Sequence, residues 1–354
     1  MERLTATLGT STAERCAAAF RETFEEIHGV SQRLVLRHIA RKERHLRQVL
    51  GYALENQTTS EYPFVFKYSF CNNEGQGERI RTLAAAVHLL QTSTLVTDDI
   101  FDGARLRYHH PALHRKYDLN YAFIAAELLQ SIALECIGTE LVQGQFPNQV
   151  PVLSLFHQMV KDLYAGQYLD VHNSSNLGLT TREYLQVIEL GAGRFLANLA
   201  RCGALLANKP KGAAEKLATY GYHYGMALFI TDDIVDIVRK PAETGKNFAT
   251  DLKRRRMRLP ILLALRLSRR NDAVFLRHFL EGKDKSGPVL QEAVKKIRKS
   301  GALDACRIMA RRYLDRSFES LDGMGESLTV ESFRWLSERL FRAQGLQRCL
   351  ATPT

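Results

Sequence analysis

The 354-residue sequence predicts an all-α protein, a single large helical bundle spanning 1–354, on three observations. Only nine prolines interrupt the chain, so few positions forbid a helix. Long stretches rich in Ala, Leu, Glu, Arg and Gln carry apolar residues at three- and four-residue spacing, the signature of one helical face. No alternating apolar and polar pattern is sustained beside turn signals, as a half-buried strand would require.

Taken in chain order, this spacing predicts helices near 12–28 and 31–55, and then 79–102 beyond the breaker Asn72-Asn73-Glu74-Gly75. A helix near 121–143 stops before Pro147-Asn148, and one near 151–171 stops before the polar run Asn173 to Gly178. The pattern then holds over 181–208, ends at Asn208-Lys209-Pro210, and resumes over 211–238 until Lys240 to Gly245. Helices near 258–271, 289–301, 302–321 and 330–347 complete the chain. Several of these segments are apolar around their whole circumference, which predicts burial rather than a surface bundle.

Composition narrows the function. Lys and Arg number 49 against 38 Asp and Glu, a net charge of +11, with 45% hydrophobic and 25% charged residues. Those proportions exclude a disordered chain or a disulfide-stapled miniprotein. The six scattered cysteines form no CxxC pair, as expected of reduced thiols in a cytoplasmic protein. Residues 1–15 lack the apolar stretch of a secretory signal. The longest apolar run, Ala122 to Ile137, is interrupted by Glu127, Gln130 and Glu135, and is expected to be too short and too polar for a bilayer about 30 Å thick. At most peripheral membrane contact is left. Positive charge concentrates at Arg239 to Arg258 and Arg266 to Arg270, yet no zinc-finger spacing, RNP-like aromatic motif or helix-turn-helix accompanies it, so nucleic acid is not expected as a partner.

Two helices carry the same acidic word at the end of an apolar run: Asp98-Asp99-Ile100-Phe101-Asp102 and Asp232-Asp233-Ile234-Val235-Asp236. On a helix, Asp98 shares a face with Asp102, and Asp232 with Asp236. Like charges at that spacing cost about 0.2–0.5 kcal/mol each, more beside apolar sequence. A lone copy reads as a solvated helix end. Two copies point to a shared purpose, and magnesium, a hard ion satisfied by one or two carboxylates plus phosphate oxygens, suits the geometry. Basic residues follow each copy: Arg105 and Arg107, then Lys246 and Arg254 to Arg258. Carboxylates for metal and cations for residual anionic charge are what a diphosphate requires, with the hydrocarbon held in an apolar cavity.

With these features the sequence resembles the trans-prenyltransferase (polyprenyl diphosphate synthase) family over about 62–263. LLQTSTLVTDDIFDGARLR is similar to the family's first aspartate-rich motif, and GQYLD (Gly166 to Asp170) to its GQxxD. YGYHYGMALFITDDIVDI resembles the helix of the second aspartate-rich motif, and GKNFATDLKRRRMRLPIL the segment GKxxxxDL…LP. The resemblance implies the isoprenoid synthase fold with a central apolar cavity, three magnesium ions, a homodimer, and ionisation of an allylic prenyl diphosphate to a carbocation. It places metal on Asp98, Asp99, Asp102, Asp232, Asp233 and Asp236, with Asp98, Asp102 and Asp232 the catalytic carboxylates. Arg107, Lys246 and Arg256 fall on diphosphate-contacting positions, Gln167 and Asp170 on the GQxxD positions, and Gln91 on a polar acceptor-side position.

The departures concentrate on the acceptor side. A second arginine after the first motif is Tyr108 here, and the upstream GKRxRP aligns with Thr58-Thr59-Ser60-Glu61-Tyr62-Pro63. The FQ pair before the second motif reads Leu228-Phe229, and a KT pair on the intervening helix reads Gly191-Ala192. A shifted alignment brings Lys42, Arg44 or Arg47 to the missing cations. The donor half is thus expected to be intact and the isopentenyl diphosphate half degraded, which leaves the second substrate open. Thr94 and Ser93, four and five residues before Asp98, are small where bulky residues floor a short pocket, so a tail of C15 or longer is expected unless Phe101 or Phe195 closes the tunnel. Phe195, Phe229, Tyr184, Tyr220 and Tyr224 are aromatic candidates for the cavity wall, where ring faces stabilise a cation, though the same spacing suits plain core. His109, His110 and His114 lack the fourth partner of a zinc site. A class I terpene synthase that quenches the cation within its own chain is the alternative, and a noncatalytic partner subunit a more remote one.

Overall fold

The computed structural model describes residues 10–55, 61–71, 77–238 and 249–343. Sixteen α-helices occur among the described residues. They are α1 (Thr10–His38), α2 (Arg44–Glu55), α3 (Glu61–Phe70), α4 (Gly77–Asp102), α5 (Leu113–Lys116), α6 (Leu119–Gln143), α7 (Gln149–Asn173) and α8 (Thr181–Ile188). After one turn of π-helix (Glu189–Gly193) come α9 (Arg194–Leu206), α10 (Lys211–Val238), α11 (Thr250–Lys253), α12 (Leu259–Leu267), α13 (Arg270–Glu281), α14 (Gly287–Lys299), α15 (Ala302–Ser320) and α16 (Leu328–Ala343).

The two acid-bearing helices occupy the centre. In α4 every residue from Leu83 to Ser93 is buried, and α10 buries residues on all sides. A helix apolar all round has no solvent face to offer, so neighbours must enclose it. α1, α3 and α6 pack on α4, while α9, α15 and the π-turn pack on α10. The buried side chains join in one cluster running from Phe20 to Phe341. Local signals set the ends of the surrounding helices. Asp118 accepts from the Tyr121 N–H at the start of α6, and Thr180 with Glu183 forms a reciprocal capping box at the start of α8.

The structure departs from the sequence pattern in six places. α1 runs through Gly29, and the chain breaks instead at 39–43, where Arg47 donates to the Leu36 and Ile39 carbonyls at the end of α1. Segment 61–70, which no periodicity marked, is helical; it is buried almost throughout and so has no polar face to give it away. The helix expected over 181–208 is split by the π-turn. The one expected over 258–271 ends at Leu267, and a separate helix continues to Glu281. A two-residue antiparallel ladder pairs Leu106–Arg107 with His110–Pro111. A sixth difference concerns α6: at 25 residues it is, by length and composition, long and apolar enough to cross a membrane, because it extends past 122–137 at both ends. In the fold its buried face packs on α4, α2 and α7.

Candidate active site

Both acidic clusters sit toward the C-terminal ends of their helices, where carbonyl oxygens already concentrate partial negative charge and the helix's own last turn carries no basic residue. That placement is costly for a bare protein and favourable beside a cation. α4 stops at Gly103, whose φ of +50° favours glycine. The Arg254 side chain fills the space a Cβ would take there and donates to the Gly103 carbonyl at 2.7 Å. This contact ties the end of the first cluster to the segment following the second.

The hairpin after α4 returns Arg107 to the carboxylates. Its Nε lies 3.1 Å from both Asp99 oxygens, and its Nη2 lies 3.4 Å from Asp98 Oδ2. The turn residues are Tyr108 and His109, with φ of +48° and +71°, a conformation that asparagine and glycine adopt more cheaply. Burial opposes the Arg107 charge, but Asp99 more than restores it, so the guanidinium stays protonated.

On α10 the carboxylates are oriented by later backbone. Asp236 accepts from the N–H groups of Thr250 at 3.1 Å and Asp251 at 3.3 Å. Asp233 accepts from the Tyr184 hydroxyl at 2.6 Å and the Leu259 N–H at 3.3 Å. Asp232 is the exposed member of its cluster. Between the two helices runs an ionic chain: Arg256 lies 2.5 Å from Asp102 and 2.5 Å from Asp170, and Arg258 lies 2.6 Å from the other Asp170 oxygen and 3.6 Å from Asp251. Burial, then the neighbouring Asp98, raises the Asp102 carboxyl to about 8, with Arg256 only partly compensating. Burial likewise raises Asp233 to about 7 against the pull of Arg258. Carboxylates pushed this way are held as anions by a nearby divalent ion.

The clusters share one cavity of about 710 Å³, within the size range of small-molecule sites. Leu95, Leu163, Val187, Ile188, Leu228, Phe229 and Leu340 supply its apolar wall. Asp98, Asp99, Asp102, Asp232, Asp233 and Asp236 line it together with Arg107, Gln91, Thr94, Gln167 and Asp170. Ser93 is buried in α4 and does not line it, because the residue before Thr94 points to another helix face. Arg256 stands behind the wall, reaching it through Asp102 and Asp170. Lys246, like Thr58 to Ser60, lies outside the described residues.

Of the aromatic candidates, Tyr184, Tyr224 and Phe229 line the cavity, whereas Tyr220 and Phe195 are core and Phe101 is 48% exposed. His109 lines it, and His110 and His114 do not. Lys42, Arg44 and Arg47 are likewise not part of the wall. Gly191 in the π-turn is part of it. Among the described residues, no three His, Cys, Asp or Glu side chains converge as an all-protein metal cage. Magnesium is usually bound instead by one or two carboxylates with waters and substrate phosphates, and the hard oxygen donors on facing helices fit that mode.

Sequence reasoning missed Arg258, Asp251, Glu61 and Arg339 as wall residues. Arg258 had a signal in its basic run. Arg339 had none, since α16 reaches the cavity only through tertiary packing.

The sequence profile of the family described as polyprenyl synthetase matches residues 43–297. Geranylfarnesyl diphosphate synthase of Natronomonas pharaonis is 30% identical over 253 residues, covering 71% of this chain and 72% of the relative. Geranylgeranyl diphosphate synthase of Sulfolobus acidocaldarius is 25% identical over 272 residues, covering 76% and 82%. Among solved structures, the polyprenyl synthase of Caulobacter crescentus complexed with calcium and isoprenyl diphosphate superposes with a TM-score of 0.84 at 21% identity, covering 94% of this chain and 98% of that one. Geranylgeranyl pyrophosphate synthase of Corynebacterium glutamicum, complexed with isoprenyl diphosphate and magnesium, gives 0.79 at 18% identity, covering 92% and 98%.

Proposed function

The chain belongs to the polyprenyl synthetase family and is a prenyl diphosphate-dependent transferase, and from that premise we propose that its two acidic helix ends bind the diphosphate of an allylic donor through magnesium. The observation that carries this is the meeting of both aspartate clusters at one partly apolar cavity. The relatives are prenyl diphosphate synthases, so a terpene synthase reading is not favoured.

Asp98 and Asp102 on α4 would hold two magnesium ions and Asp232 on α10 the third, with Asp99, Asp233 and Asp236 in support. Bound there, magnesium would supply positive charge to offset that of the diphosphate as the allylic C–O bond breaks. The protein's own groups do the rest. The Thr250 and Asp251 N–H groups fix Asp236, the Tyr184 hydroxyl fixes Asp233, and Arg107 adds a permanent positive charge beside Asp98. Phe229 and Tyr224 bring aromatic rings to the cavity wall, where a ring can stabilise a cation, while the aliphatic wall excludes water that would quench it. Thr94, a small residue, lines the wall one turn before the first cluster, which supports a C15 or longer tail.

We place the enzyme in the cytoplasm as a homodimer. The exposed apolar Leu119, Phe123 and Ile124 on α6 support a self-association face. Incubation with magnesium and farnesyl or geranylgeranyl diphosphate should release pyrophosphate, and EDTA should abolish the release. No release from either donor with metal present would reject the proposal.

A further inference from the structure

We propose that the acceptor half of the cavity takes an uncharged, hydrogen-bonding acceptor rather than a second diphosphate, and that Glu61, Tyr62 and Tyr108 set this specificity. The inference rests on the prenyl-transfer reading above and names the class of its second substrate.

Charge in the wall is lopsided. Nine carboxylates and three guanidinia line the cavity among the described residues. All three guanidinia are already engaged: Arg107 with Asp98 and Asp99, Arg258 with Asp170 and Asp251, and Arg339 with Glu61. Metal on the aspartate clusters can serve one diphosphate. A second trianionic headgroup beside it would need cations of its own.

Among the described residues, Arg339 is the one guanidinium that lines the cavity from α3 or α16, and its geometry commits it elsewhere. Its Nη1 donates to Glu61 Oε1 at 2.8 Å, and its guanidinium lies 4.7 Å above the Phe20 ring and 5.9 Å from the Trp335 ring. Glu61 is 8% exposed. Turning Arg339 toward a phosphate would strand a buried carboxylate, and that carboxylate would then repel the phosphate. Glu61 therefore acts against an anionic acceptor while remaining able to accept a hydrogen bond from an O–H or N–H.

Tyr62 and Tyr108 stand where the resemblance described above implies arginines. Tyr62 lines the cavity from the first turn of α3, with its ring 5.2 Å from Phe195. Tyr108 lines it from the strained turn, its ring 5.9 Å from the Arg107 guanidinium. Phenols both donate and accept but bring no net charge. Segment 56–60, Asn-Gln-Thr-Thr-Ser, contains no lysine or arginine that could compensate.

The test is equilibrium dialysis of radiolabelled isopentenyl diphosphate against enzyme saturated with magnesium and a nonhydrolysable farnesyl diphosphate analogue. Wild type should show no saturable binding up to the highest concentration used. The triple variant Glu61→Gln, Tyr62→Arg, Tyr108→Arg should bind saturably, with a Kd about tenfold or more below that concentration. Circular dichroism and analogue binding establish that this variant is folded. A folded variant with no gain would remove these three residues as determinants and overturn the proposal. So would saturable binding to wild type that Arg339→Gln abolishes. Pyrophosphate release from farnesyl diphosphate is measured in parallel. Its absence rejects the prenyl-transfer reading, whereas release together with saturable isopentenyl diphosphate binding overturns this inference alone.

Discussion

Asp102 shows how a single carboxylate can be made to want a metal. It lies at a helix C-terminus, shares a face with Asp98, and is half-buried, so its carboxyl is raised to about 8 even with Arg256 beside it. Replacing it by Asn keeps the shape and removes the charge, and should lower kcat about 100-fold or more with little change in melting temperature. Steady-state kinetics over a magnesium series checks this; an unchanged metal requirement would count against the assignment. Gly103 next to it is structural. Ala there adopts the left-handed region at a cost of about 1–2 kcal/mol and also displaces Arg254, so Gly103→Ala should lower the urea midpoint measurably. The aspartates were legible because their spacing is local. Glu61 and Arg339 were not, since 278 residues separate the partners of that ion pair and no local pattern encodes it.

Helices were legible where one face is buried, and obscure where burial runs all round or the backbone itself changes pitch. α3 illustrates the first failure and the π-turn at Glu189–Gly193 the second. The wider turn interrupts what reads as one continuous helix over 181–208. It is accommodated by close approach, since a Cβ on Gly225 would come within 2.7 Å of the Ala192 carbonyl. Turns of this kind concentrate at functional sites, and this one brings Gly191 to the cavity wall. The packing of α1 on α4 carries a separate consequence. His88 lies buried between them, its Nδ1 3.0 Å from the Ser31 hydroxyl. Burial, and secondarily His28, lowers it to about 3, against roughly 6.5 in an unfolded chain. Below pH 6.5 the unfolded state therefore binds the extra proton, and stability should fall progressively from about pH 6.5 toward pH 3. Urea titrations across that range should show the slope, and His88→Gln should flatten it. A slope unaffected by the substitution would assign it to other groups.

At the scale of the molecule, a chain with a net charge of +11 nonetheless builds a cavity whose described wall is strongly negative. Bulk charge thus said little about the site, which is why the basic composition alone could not choose among anionic partners. Magnesium is expected to be obligatory for binding as well as for chemistry. Donor diphosphate should raise the melting temperature only when metal is present, as ligand linkage requires, and EDTA should erase the shift. A metal-independent shift would mean that the arginines alone hold the diphosphate.

The most direct measurement is a crystal structure with magnesium and a nonhydrolysable farnesyl diphosphate analogue. The diphosphate should lie between the ends of α4 and α10, joined to Asp98, Asp102 and Asp232 through magnesium, with the tail running along Leu95 and Phe229. A diphosphate bound away from both helix ends, or bound there with no metal between it and the aspartates, would refute that arrangement.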